Sequence, residues 1–228
     1  MRELAADQPA REVNRLEMAQ HREIATDELA DPLDGPSMAL ARTFSIIFSP
    51  PFVAIATYLF VAFAEPQPLL AGLGWALLTI MLQMLPGTIL YISRRKSGRY
   101  QDADVSRRQD RNELYLVGAL AVFVSIVVLN MLGAPRPMQA LAIGTLALGV
   151  LCGLVNIFWK ISMHAATIAV LATITAFYTA SVGVGLWACV LAVGWARVKT
   201  RNHTPMQVLA GMVAAAVVMY TAFVLVAR

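Results

Sequence analysis

Beyond residue 42 the chain is a series of apolar stretches cut by short polar ones. Runs without a single Asp, Glu, Lys or Arg cover 43–64, 69–92, 114–133, 138–158, 163–180, 182–196 and 205–227. A bilayer core about 30 Å thick is crossed by roughly 20 residues of helix, so five of these runs span it comfortably. The pair 163–180 and 182–196 is short, and the break near Ser181 and Gly183 is weakly marked. It reads either as two spans or as a tight helical hairpin that stops short of the far surface. The expected fold is all-α, a polytopic membrane helix bundle of six or seven transmembrane helices.

Composition supports the same solvent. Of the 228 residues, 58% are hydrophobic and 14% are charged, against about 25% charged in a typical soluble domain. A soluble domain of this length could not hide that much apolar surface and still present water with a charged coat. Residues 1–42 are different material and read as a polar cytoplasmic tail preceding the helical domain at 43–228. They hold nine of the 14 acidic residues and no long apolar run, so a signal peptide is not expected. A helix over 10–30 fits the tail, which ends at Asp34-Gly35-Pro36. Cys152 and Cys189 both lie in apolar runs and read as small buried hydrophobes.

The net charge of +4 gains meaning from its placement. With seven spans, the tail, the loop 93–113, and the junctions near 160 and 197–204 share one side. That side collects 16 of the 18 Lys and Arg residues, leaving Arg136 and Arg228 for the other. Cytoplasmic loops carry such an excess, so the crowded side is expected to face the cytoplasm of a cell that holds the protein in its inner (plasma) membrane. Three polar segments far apart in sequence then meet at one surface, where they can assemble a site.

Two of the three histidines lie at that surface. The segments read Lys160-Ile161-Ser162-Met163-His164 and Arg197-Val198-Lys199-Thr200-Arg201-Asn202-His203-Thr204-Pro205-Met206-Gln207. Ionisable groups at membrane spans are costly and so are functional suspects, although Arg197, Lys199 and Arg201 also suit plain topology anchors. Cations with hydroxyls can cradle a phosphate, and two imidazoles can supply a nucleophile and a general acid. His21 lies in the tail, where no role is expected of it. Gly183 and Gly185 sit in an apolar helix and read as positions of close packing.

These segments resemble the signatures of the type-2 phosphatidic acid phosphatases. Arg197, His203 and Gln207 stand at the spacing of that family's third signature, S-R-x5-H-x3-D. Ser162-Met163-His164 is similar to its second, P-S-G-H, and Asp104 through Arg111-Asn112 occupies the place of its first, K-x6-R-P. The order agrees, and the resemblance covers roughly 90–225. Ala196 stands for the family's Ser and Gln207 for its Asp. Ile161 and Met163 flank Ser162 in place of Pro and Gly, and Asp104 and Asn112 replace Lys and Pro.

The resemblance implies a phosphohistidine mechanism without metal or cofactor. His203 would attack phosphorus and His164 would protonate the leaving oxygen. Arg197, Arg111, Lys160 and Ser162 would hold the phosphate oxygens. Gln207 would replace the carboxylate that orients the nucleophile, and in a serine protease the comparable Asp-to-Asn change costs about 10⁴ in turnover. Asp102, Asp104 and Asp110 are the carboxylates that could compensate within the phosphate site. Their other reading is surface pairing with Arg107, Arg108 and Arg111.

The function implied is hydrolysis of a lipid phosphate or diphosphate, prenyl or phosphatidyl, at the cytoplasmic face; the resembled enzymes commonly face the other way. The expected partners are the lipid substrate and the bilayer, with a homo-oligomer left open and no nucleic acid. Two other readings stand beside it. One is a non-catalytic member that binds lipid phosphates, which Gln207 and Ala196 favour. The other is a Mg²⁺-dependent intramembrane prenyltransferase built on Asp102, Asp104 and Asp110, which lacks a second acidic cluster in the later junctions.

Overall fold

The computed structural model describes residues 35–64 and 66–228, which are largely helical and contain no strand. The helix expected over 10–30 and His21 lie outside the described residues. The elements are α1 (Pro36–Ile47), α2 (Pro50–Ala64), α3 (Leu69–Lys96), α4 (Arg111–Met131), α5 (Arg136–Phe158), α6 (Met163–Tyr178), α7 (Ala180–Lys199) and α8 (Pro205–Ala222). A single 3₁₀ turn, Arg108–Asp110, leads into α4, and a π turn over Phe223–Ala227 follows α8. Proline opens α1, α2 and α8, where its missing N–H and preset φ suit the first helical position.

Five helices are long and apolar enough to cross a membrane, and the α1–α2 pair, bent by 46°, passes the same test as a sixth. The run expected as one span over 43–64 is therefore two helices. Pro50 and Pro51 force the bend, because the residue before a proline is disfavoured in the α region and the proline lacks an N–H. The run at 163–180 is short, as expected. The helix there has 16 residues, about 24 Å at 1.5 Å per residue, and is shorter than a full span. Its break from α7 falls at Thr179, in extended backbone, rather than near Ser181 and Gly183.

Side chains such as Leu70, Met131 and Phe158 are more than four-fifths exposed. A soluble surface rarely carries apolar patches on this scale, so the chain is a multi-pass membrane protein whose outer face meets lipid. Its interior is organised around α6, which packs against α2, α7 and α8. Ala165, Ala166, Ala169 and Ala172 are fully buried on α6, and small residues let helices approach where lipid offers no hydrophobic drive. Elsewhere in the bundle the Tyr58 hydroxyl donates to Gln83 Oε1 at 3.0 Å, and Gln83 Nε2 donates to Ser125 Oγ at 3.0 Å. This chain of bonds ties α2, α3 and α4 together without leaving those groups unpaired in an apolar medium. Cys152 is buried, Cys189 is half-buried, and the two are unpaired.

One glycine is required by the α6–α7 contact. A Cβ on Gly183 would collide with the backbone of Ala176, whereas one on Gly185 would meet nothing within 4 Å. Close packing thus holds at the first of the two glycines and not at the second. Gly183→Ala is expected to cost about 1–3 kcal/mol through overpacking, and Gly185→Ala to be silent. Thermal unfolding of the two variants in detergent should separate them, and equal melting temperatures would refute the contact.

A polar site where three loops meet

Alternating helix directions bring the loops 97–110, 159–162 and 200–204 to one end of the bundle, where hydrogen bonds join all three. Arg111, at the start of α4, is buried. Its Nε donates to the Val105 carbonyl at 2.7 Å, Nη2 to the Asp104 carbonyl at 3.2 Å, and Nη1 to the Ile161 carbonyl at 3.5 Å. The side chain expected to grip phosphate therefore spends three of its five N–H groups fastening two loops. Lys160 Nζ donates to the Asn202 carbonyl at 2.7 Å and joins the second loop to the third. Its burial, and then the charges of Arg111 and Arg197, lower its pKa.

Arg197, in the last turn of α7, is only 2% exposed. Its Nη2 donates to Asp104 Oδ2 at 2.8 Å, and the same oxygen accepts from Asn202 Nδ2 at 2.6 Å. Its Nε is buried and has no hydrogen-bond partner among the described residues. The side-on fork of this guanidinium is thus half filled. Burial opposes the charge on Asp104, yet the Arg197 hydrogen bond and charge hold its carboxyl below the usual range.

The three loop carboxylates go separate ways. Asp104 turns inward to Arg197 and pairs with neither Arg107 nor Arg108, against the surface reading. Asp110 does lie 3.8 Å from Arg107. Asp102 is consumed by its own loop, where Oδ1 accepts from the Asp104 and Ser106 N–H groups and from Ser106 Oγ, at 2.9–3.0 Å. Glu113, from α4, gathers Arg94, Arg99 and the Tyr100 hydroxyl on the same side.

His203 sits just before α8, and local sequence chemistry sets its orientation. Thr204 caps α8 by accepting from the Gln207 N–H at 3.3 Å, and Gln207 Oε1 accepts from the Thr204 N–H at 3.2 Å. This reciprocal capping box pins the Gln207 amide. The same Oε1 lies 3.3 Å from His203 Nδ1. A carbonyl oxygen can only accept, so Nδ1 carries the hydrogen and Nε2 is left with a lone pair. Burial first, and then the charges of Lys160, Arg111 and Arg197, push the His203 pKa down to about 3. The ring is neutral at physiological pH.

Ser162 and His164 open α6. The Ser162 hydroxyl accepts from the Ala165 N–H at 3.4 Å as the N-cap, and the Ser162 N–H donates to the Gln207 carbonyl at 3.3 Å. Ser162 is wholly buried, and its clearest duty is to start α6 and tie it to α8. A Cβ on Gly211 would stand 2.7 Å from the Ser162 carbonyl, so α8 reaches this point only because Gly211 has none. His164 is buried at the second position of the helix, two residues after Ser162, with the backbone of Ser45 from α1 in hydrogen-bonding reach of its ring.

Each residue expected at the site is therefore at this end of the bundle: His203, His164, Gln207, Arg197, Arg111, Lys160, Ser162 and Asp104. Three contributors went unassigned in the sequence. Asn202 falls between the motif positions, where spacing carries no signal. Ser45 comes from the first apolar run, outside the motifs. Asn156, buried near the end of α5, donates to the Arg108 carbonyl and to Asn112 Oδ1, each at 2.9 Å, while Arg108 donates to the Asn156 and Ile157 carbonyls.

Fold and site together define a class, a multi-pass helix bundle with a buried, cation-rich polar site at one end. No family model, curated protein or solved structure matches the chain.

Arg111→Lys tests the fastening. A point-charge ammonium cannot spread over three carbonyls as a planar guanidinium does. The loss expected is about 1.5–3 kcal/mol, the scale of hydrogen bonds from a charged donor, accompanied by faster proteolysis within 97–107. Unchanged melting and cleavage would mean that Arg111 does not hold the loops.

Proposed function

We propose that the protein is an integral-membrane phosphatase that hydrolyses a lipid phosphate or diphosphate, prenyl or phosphatidyl, through a phosphohistidine intermediate. The observation that carries this reading is a neutral His203, fixed by Gln207 with Nε2 free, beside a buried arginine that has an unpaired N–H. Such a pair suits nucleophilic attack on a group whose negative charge the arginine can take up.

In the first step His203 Nε2 attacks phosphorus, and the bond from phosphorus to the lipid oxygen breaks. A proton passed to that oxygen through His164 lets the lipid leave as an alcohol or as a shorter phosphate. In the second step water attacks the phosphohistidine and His164 takes a proton from that water. The P–N bond breaks, releasing inorganic phosphate and restoring His203. Arg197, with Lys160 and the remaining N–H groups of Arg111, neutralises charge on the phosphoryl oxygens. Most of the rate gain in such a site comes from positioning and charge neutralisation.

Gln207 supplies the geometry of an orienting partner without its charge. An imidazolium formed during attack gains no carboxylate neighbour from this position, so turnover is expected to be slow. The same feature favours a second reading, in which the protein binds lipid phosphates and does not turn them over. The excess of Lys and Arg at this end of the bundle supports a cytoplasmic orientation in an inner (plasma) membrane. Substrates would then be lipids phosphorylated inside the cell. A homo-oligomer is compatible with this reading and not required by it.

The test is phosphate release by detergent-purified protein in EDTA, offered prenyl diphosphates, phosphatidic acid and phosphatidylglycerophosphate. His203→Ala is expected to abolish release, and His164→Ala to lower it by about 10²–10⁴, the usual contribution of a general acid. Gln207→Glu keeps the capping box and adds a negative charge that favours imidazolium. It should therefore raise the turnover and move the acid limb of the pH–rate profile upward from the region of pH 3. Absence of release from every substrate would remove the phosphatase reading and leave the binding one.

A further inference from the structure

The Arg197 fork already holds an anion, and that anion belongs to the protein. Asp104 Oδ2 sits 2.8 Å from Arg197 Nη2 and 2.6 Å from Asn202 Nδ2, while Arg197 Nε, the other prong of the fork, is buried and has no partner among the described residues. The Arg197 side chain is 3% exposed and that of Asp104 is 33% exposed. Asp104 is thus the more exposed partner of the pair, and its carboxylate holds the Nη2 prong that an incoming anion would have to take to fill the fork.

The loop that carries Asp104 is strained. Val105 has φ 48°, a left-handed conformation that is unfavourable for a β-branched side chain. It is held there by Arg111 Nε on its carbonyl and by the Asp102 side chain, which binds the N–H groups of Asp104 and Ser106. Strain of this kind persists only where the surroundings impose it. These bonds hold the loop backbone independently of the Asp104 carboxylate, so the side chain can swing off Arg197 without the loop unfolding.

We infer that Asp104 is the specificity-determining plug of this site, displaced from the Arg197 fork by terminal phosphates and diphosphates and retained against phosphodiesters. The inference rests on the reading of the site as a phosphate cradle and deepens it by naming the substrate class. A membrane surface is crowded with phosphodiester headgroups, each with one negative charge, and an open cradle facing that surface would fill with them. A phosphodiester brings no more charge than Asp104, whose tether gives it an effective concentration near millimolar or above. A phosphomonoester carries about −1.5 to −2 at pH 7 and three acceptor oxygens. It can engage both prongs of the fork, as guanidinium geometry favours, and so fills the N–H that Asp104 leaves empty.

The experiment is binding, so it does not depend on turnover. Full-length protein in a phosphate-free detergent is titrated with inorganic phosphate and with dimethyl phosphate, a minimal phosphodiester, and ³¹P line broadening is recorded. Wild type is expected to broaden inorganic phosphate and to leave dimethyl phosphate sharp. Asp104→Asn should bind both, its preference falling at least tenfold, and Asp104→Glu should restore the preference. Arg197→Gln should abolish both signals. Wild type that takes the two ligands alike, or neither, overturns the inference. So does an Asp104→Asn variant that keeps full discrimination or loses both ligands, since Asp104 would then merely brace Arg197. A wild type that discriminates without hydrolysing any lipid would leave the plug standing and remove only the phosphatase reading.

Discussion

A guanidinium removed from water must have its charge answered within a few ångströms, because an unpaired buried charge costs several kcal/mol. Arg197 imposes that demand at the end of α7. Asp104 answers it from a loop 93 residues earlier in the chain, and Asn202 shares the same carboxylate oxygen. The pairing fixes where the loop 97–110 lies. It thereby fixes the carbonyls that Arg111 grips and the place where Lys160 meets the third loop.

The catalytic pair proposed here depends on different chemistry, the capping of helices. Thr204 and Gln207 close the first turn of α8, and the Gln207 amide that results is rigid enough to choose a tautomer for His203. Ser162 caps α6 and sets His164 in the first turn of the helix at the same end of the bundle. Backbone groups that must be satisfied in any buried helix terminus thus also orient the two imidazoles. Burial and three nearby cations keep His203 neutral, so in the proposed role it needs no base to deprotonate it.

Membrane and site place opposite demands on α6. A helix this short leaves little room for polar groups at both of its ends within a bilayer. Four of its alanines are fully buried, and α7 approaches it through Gly183. This packing keeps α6 at the centre, away from lipid, and its polar N-terminus becomes the floor of the site. Lipid-facing helices, by contrast, carry large apolar side chains outward and contribute to the site only at their ends.

Much of this was legible in the residues themselves. The absence of charge from seven runs, the crowding of cations on one side and the spacing of Arg197, His203 and Gln207 are local or countable. They follow from the dielectric cost of charge in lipid and from helix geometry. The need for a small residue at Gly183 is of the same kind, whereas the capping box at Thr204 emerged only with the structure. Tertiary structure decided what depends on distance through space. The bend at Ser49 split a run that hydropathy alone joined, since hydropathy does not register the conformational restraint before a proline. Three-dimensional proximity turned Asp104 inward to Arg197, spent Arg111 on carbonyls and recruited Asn202 and Ser45. No periodicity in the chain could have announced these contacts, because charge pairing across 93 residues is written in the packing of helices and not in their order.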